Sequence, residues 1–176
     1  ANFSKLQSLD NIGTVSPKSV QSIGDLDLLF LDSTGVRSLR TRELNLNAYV
    51  EDVGIAIDSY VQDVIGGELE ADLRKSCSIV EPTTKQYWLY LSTGTNQVGP
   101  IVVLSSYPES RIRAWSTFVP VDSEGRGFRP ASFLLHNGLV YCTSLERIYI
   151  YGGTSGVEYD TTQATWQLPW LDCGTP

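Results

Sequence analysis

Methionine is missing from all 176 residues, histidine occurs once, and cysteine only three times. With no initiator Met ahead of Ala1-Asn2-Phe3-Ser4-Lys5, the chain reads as processed or as a piece of something longer, and the apolar run into turn residues over 167–176 fits that expectation. Cys77, Cys142 and Cys173 lie far apart without CxxC spacing, and with a single His a zinc site is hard to assemble. An odd count fits buried or free thiols better than a disulfide framework. Basic residues are also scarce: 13 Lys and Arg against 20 Asp and Glu give a formal net charge of −7. Gripping phosphates needs Lys/Arg clusters, so tight duplex binding is not expected. The longest basic cluster, Arg37-Ser38-Leu39-Arg40-Thr41-Arg42, reads as one solvated strand face. No window approaches the roughly 18 apolar residues of a membrane helix, and the N-terminus lacks a signal-peptide core, so no membrane anchor is expected.

What is present is period-two apolar patterning in a chain 41% hydrophobic and 19% charged, the balance of a folded protein. Lys18-Ser19-Val20-Gln21-Ser22-Ile23, then 27–31, then 35–39, predict a three-stranded meander broken at Gly24-Asp25 and at Asp32-Ser33-Thr34-Gly35. The one helical signal follows, with Val50, Val53, Ile57, Val61 and Val64 on one face and a stop at Gly66-Gly67. Gly54 weakens the first half, so a shorter helix capped by Asp58 and running to Ile65 is the alternative, with a second short helix over 68–75. Strands return at 78–81, 87–91, 101–104 and 113–118, and then at 132–135, 139–143, 147–151 and 164–168. His136-Asn137-Gly138 marks a hairpin, because Asn-Gly readily takes positive φ. The expected fold is mainly β, with β-propeller-like antiparallel blades and a short helical insert around 47–75. It divides into a first strand set (12–42), the insert (43–76), a second blade (77–120) and a third (128–176). Unit size is near the roughly 40–45 residues of a propeller blade, although a sandwich or barrel would share the pattern.

Certain phrases carry a resemblance. Ile12-Gly13-Thr14-Val15-Ser16-Pro17-Lys18-Ser19-Val20 with Leu29-Phe30-Leu31-Asp32-Ser33-Thr34-Gly35-Val36-Arg37-Ser38-Leu39 resembles the β-propeller tail proteins of short-tailed bacteriophages. These are the tail-tube nozzle and hub proteins, with packaged-DNA stabilisation proteins as relatives. Gln86-Tyr87-Trp88-Leu89-Tyr90, Ser110-Arg111-Ile112-Arg113-Ala114-Trp115-Ser116 and Ile148-Tyr149-Ile150-Tyr151-Gly152-Gly153 are similar to later blades of that group. The resemblance implies a structural virion protein that supports DNA retention and ejection. It further implies a homo-oligomeric ring, other tail or portal-adaptor proteins as partners, and DNA passing without sequence recognition. The family's role is architectural, so it brings no functional residue with it.

Candidate sites are weak when read residue by residue, and no catalytic, cofactor-binding or metal residue is assigned. His136 sits in a hairpin turn, and there is no Gly-x-Ser-x-Gly elbow to complete a triad. Cys142 alternates with Val140 and reads as core. Asp25-Leu26-Asp27 and Asp122-Ser123-Glu124-Gly125 fall short of a calcium loop. Asp52, Asp58, Asp63, Glu68, Glu70 and Asp72 read as a solvated helix face, or alternatively as a negative lining facing DNA. Asn2-Phe3-Ser4 matches a glycosylation sequon without a secretory signal. The expectation is therefore not an enzyme. The alternative is a propeller-type glycan-binding or glycan-cleaving module using Trp88, Trp115, Trp166 and Trp170, although aromatics on alternating strands more often pack between blades.

Overall fold

The computed structural model describes residues 13–23, 27–39, 53–94, 97–107, 112–145 and 147–155, and these are mainly β. Ten strands among them form three antiparallel meanders. The first sheet joins β1 (Gln21–Ile23), β2 (Asp27–Asp32) and β3 (Gly35–Ser38). The second joins β4 (Cys77–Glu81), β5 (Gln86–Tyr90), β6 (Ile101–Tyr107) and β7 (Ile112–Phe118). The third joins β8 (Ser132–His136), β9 (Leu139–Thr143) and β10 (Ile148–Ile150). Helices α1 (Asp58–Ile65) and α2 (Glu70–Leu73) come between the first and second sheets in the chain. The described residues close neither a barrel nor a propeller ring.

The second sheet is buried on both faces, and its register shows why. Side chains alternate along a strand, so cross-strand partners share a face. Tyr87 opposite Leu104 and Leu89 opposite Val102 point one way; Trp88 opposite Ile79 and Val103, and Tyr90 opposite Cys77 and Ile101, point the other. The first group packs with Leu29, Leu31 and Val36 of the first sheet and with Ile57, Val61, Ile65 and Leu73 of the helical segment. The second group packs with Val140, Phe133 and Leu135 of the third sheet. The three sheets therefore stack face to face in chain order. Both faces of β5 and β6 being apolar explains why 87–91 and 101–104 read as continuous apolar runs rather than clean alternation.

Several expectations require correction. The segment Lys18-Ser19-Val20 is not strand: Pro17–Ser19 form a single 3-10 turn, and pairing begins at Gln21. Proline suits the first position of such a turn. The fully buried Ser16 hydroxyl then donates to the carbonyls of Arg74 and Ser76 and ties the turn to the start of β4. Arg37 does not lie on a solvated face; it is 2% exposed and ion-paired to Asp58 at 2.7 Å. Asp58 is not the cap either. It is the first residue of α1, whose N-cap is Ile57 without a side-chain cap. Gly54 precedes the helix, where a Cβ would stand 2.0 Å from the Val36 carbonyl oxygen, so glycine serves a close chain approach. The helix ends at Gly66-Gly67, where the sequence places its stop. At the β8–β9 turn Asn137 (φ 50°) and Gly138 (φ 77°) are both left-handed, as a two-residue hairpin of the I′ kind requires. The strand expected at 164–168 lies outside the described residues, as do positions 40–52.

Candidate functional site

Two features stand out from the packed layers: an uncovered sheet face and a cleft beside it. On the third sheet, Phe133, Leu135, Val140 and Cys142 point toward the second sheet. The opposite face carries Ser132, Leu134, His136, Leu139, Tyr141, Thr143, Ile148 and Ile150 in register, with no Asp, Glu, Lys or Arg among them. Leu134 is 60% exposed and Ile148 70%. The outward Phe30 of the first sheet is by contrast only 5% exposed. Among the described residues, apolar side chains are thus exposed at the third-sheet end of the stack.

The cleft, of about 350 Å³, is lined by Asp122, Arg126, Gly127, Phe128, Ser144, Leu145, Arg147 and Tyr149. One wall is a tight turn closed by an isolated bridge between Val121 and Gly127. Asp122 organises it: its Oδ1 accepts the backbone N–H groups of Glu124 and Arg126, each at 2.9 Å, and its Oδ2 meets Arg126 Nε at 3.2 Å. The Arg126 N–H, foremost among these donors, holds the Asp122 carboxyl below its usual range. Glu124 grips the other end of the same guanidinium at 2.7 Å. The opposite wall is the β9–β10 turn, closed by the Ser144 N–H to the Arg147 carbonyl at 2.8 Å. The floor is the half-buried Phe128–Tyr149 pair, stacked at 4.0 Å with 16° between the rings. The Arg147 side chain is exposed and has no ion pair among the described residues.

The residues singled out from sequence scatter. His136 ends β8, exposed, its ring 6.2 Å from that of Tyr141. Cys77 and Cys142 are buried free thiols; desolvation pushes each up to about 12, with Lys18 partly opposing at Cys77, so neither is a thiolate nucleophile near neutrality. Cys173, Trp166, Trp170, Asp25, Asp52 and the Asn2 sequon lie outside the described residues. Trp88 is enclosed between the second and third sheets, edge-on to Phe118 at 5.7 Å and to Tyr151 at 4.7 Å, and offers no open platform. Trp115 donates Nε1–H to the Val53 carbonyl at 2.9 Å. The acidic stretch is largely engaged: Asp58 with Arg37, Glu70 with Arg74, Asp72 with Lys75, and Glu68 accepting the Gly94 N–H. Asp63 and Glu70 are exposed as on a solvated face, whereas Asp58, Glu68 and Asp72 are half-buried. Among the described residues no three His, Cys, Asp or Glu side chains gather as a metal site.

In the sequence the cleft shows as a candidate only through Asp122-Ser123-Glu124-Gly125, which falls short of a calcium loop. Arg147 and Tyr149 read as strand residues and Phe128 carries no reading, because a cleft formed where two turns meet leaves no local spacing to read. No protein-family model matches this chain, and neither does any curated protein or any solved structure.

Proposed function

We propose that this chain is a structural module of a short-tailed phage tail, in which the three sheets serve as consecutive propeller-type blades. In this reading it belongs to the virion, as part of a nozzle or hub ring of identical subunits beneath the portal and adaptor. It supports DNA retention and ejection, contacts other tail or portal-adaptor proteins, and lets DNA pass without reading its sequence. The observation that carries the reading is the serial stack with an apolar, charge-free sheet face exposed at its end. Sheets in such a series bury each face against the next, and a contiguous exposed apolar patch marks an interaction surface. The resemblance of the 12–39, 86–90, 110–116 and 148–153 phrases to tail propellers supports the reading, and the acidic net charge suits a channel component that must not hold phosphates.

Mass photometry of the purified protein, together with imaging of native particles, is the test. A ring at the portal-distal end of a capsid is the expected result. A protein that stays monomeric at every concentration and is absent from particles overturns the reading, whatever small molecules it binds.

A further inference from the structure

We infer that Asn137, at the tip of the β8–β9 hairpin, is a site of spontaneous covalent modification, losing ammonia to become a mixture of aspartate and isoaspartate. This goes beyond the architectural reading and does not depend on it. The chain has six asparagines, Asn2, Asn11, Asn45, Asn47, Asn96 and Asn137, and Asn137 is the one followed by glycine. Asparagine is a thermolabile side chain, because the backbone nitrogen of the next residue can attack its amide carbon. A side chain on that next residue crowds the attack, and Gly138 has none. The fold adds access. Asn137 and Gly138 are both exposed, and a Cβ placed on Gly138 would meet nothing within 4 Å. β8 ends at His136 and β9 begins at Leu139, and these two face each other in register. In a two-residue loop that flanking pair carries the closing hydrogen bonds, so the Gly138 nitrogen is not locked into the ladder.

The reaction consumes water and needs only base to start. Base removes the Gly138 amide proton, and the nitrogen adds to Cγ of Asn137. The Cγ–Nδ2 bond then breaks and ammonia leaves with the proton, closing a five-membered cyclic imide. Both residues are left-handed in the turn, and the ring is reached by local opening of the hairpin tip, where stability is lowest. Water opens the imide at either carbonyl. Cleavage of the bond from the nitrogen to Cγ yields aspartate; cleavage to the main-chain carbonyl carbon yields isoaspartate, with the chain now running through Cγ. No electrons are transferred, and the new carboxylate adds one negative charge.

The two products differ in consequence. Aspartate tolerates the left-handed position that Asn137 occupies (φ 50°), so the hairpin survives. Isoaspartate adds a main-chain atom to a loop of two residues, and loop length fixes the register of the strands it joins. Phe133 and Leu135 before the loop and Val140 after it pack against the second sheet, so a slipped register reaches that core.

The test is incubation of the full folded chain in mildly alkaline buffer, below its unfolding temperature, followed by peptide mass spectrometry. Asn137 should convert at least about tenfold faster than each of the other five asparagines, with isoaspartate beside aspartate on electron-transfer fragmentation. Aged wild type should unfold at least about 2 °C below its starting midpoint. Aged Asn137→Gly, which keeps a Gly-Gly turn, should hold its midpoint. Unaged Asn137→Asp should melt with unaged wild type. Conversion at Asn137 no faster than at the other asparagines overturns the proposal, as does aspartate without isoaspartate. An equal fall in aged wild type and aged Asn137→Gly overturns it too, since the loss would then arise elsewhere in the chain.

Discussion

Arg37 sits at 2% exposure, and four acceptors surround its guanidinium: the carbonyls of Val36 and Thr34, the Thr34 hydroxyl and the Asp58 carboxylate. Asp58 supplies the opposite charge from the first turn of α1, so the pair pins the helix to β3. Asp58→Ala takes this counter-charge away from a buried cation and should cost about 3 kcal/mol. Replacing the pair together, Arg37→Met with Asp58→Leu, should recover most of that loss, because buried ion pairs are often no better than apolar packing. Urea unfolding of the three variants decides this; a loss below about 0.5 kcal/mol for Asp58→Ala would class the pair with surface contacts. Glu81 carries the pH dependence at this scale. Burial pushes its carboxyl up, yet the Thr84 hydroxyl and the Thr83 and Thr84 N–H groups together prevail and hold it below its ordinary value of 4.5. A depressed folded value means this contribution is complete above that ordinary value and fades as pH falls through the folded one. Between about pH 5 and pH 3, wild type should therefore lose more stability than Glu81→Gln. Parallel loss in the two proteins would show that the threonine donors add nothing.

Elements were legible where side-chain period alone decides them. Strands at 27–31, 87–91, 101–104, 113–118 and 139–143 were readable because alternating or continuous apolar residues leave few alternatives, and the Asn137-Gly138 turn because its φ values demand those residues. What sequence could not show is contact between distant segments. Arg37 looks solvated beside Arg40 and Arg42 until Asp58 arrives from 21 residues away. Gly54 looks like a poor helix former until Val36 stands against it. The two views of Gly54 predict opposite signs. Were propensity the issue, Gly54→Ala would stabilise by about 1 kcal/mol. Because its Cβ would fall 2.0 Å from the Val36 oxygen, the substitution should instead destabilise by about 1–3 kcal/mol as the chain is forced off β3. Thermal unfolding reads the sign directly, and a raised midpoint would refute the close approach.

At the scale of the whole molecule, the stack ends unequally, and that asymmetry is where assembly can be tested. Leu134 and Ile148 project from the third sheet away from the core, so neither contributes much to the stability of the isolated chain. Substituting both with Asp should change the unfolding free energy by no more than about 0.5 kcal/mol each, as for other surface positions. In an assembly the same two side chains would be covered, each worth about 1.5–3 kcal/mol of burial, and a carboxylate put in their place would have to be desolvated. Leu134→Asp with Ile148→Asp should therefore leave a folded protein that no longer forms rings or enters particles, as seen by mass photometry and by analysis of purified virions. Control substitutions at Arg74 and Lys75, which are exposed and far from this face in the chain, should not have that effect. Normal rings from the double variant would show that the uncovered face is not the contact surface. A collapse of monomer stability would show that the face packs within the chain itself. Either result removes the apolar end of the stack as the basis for assembly.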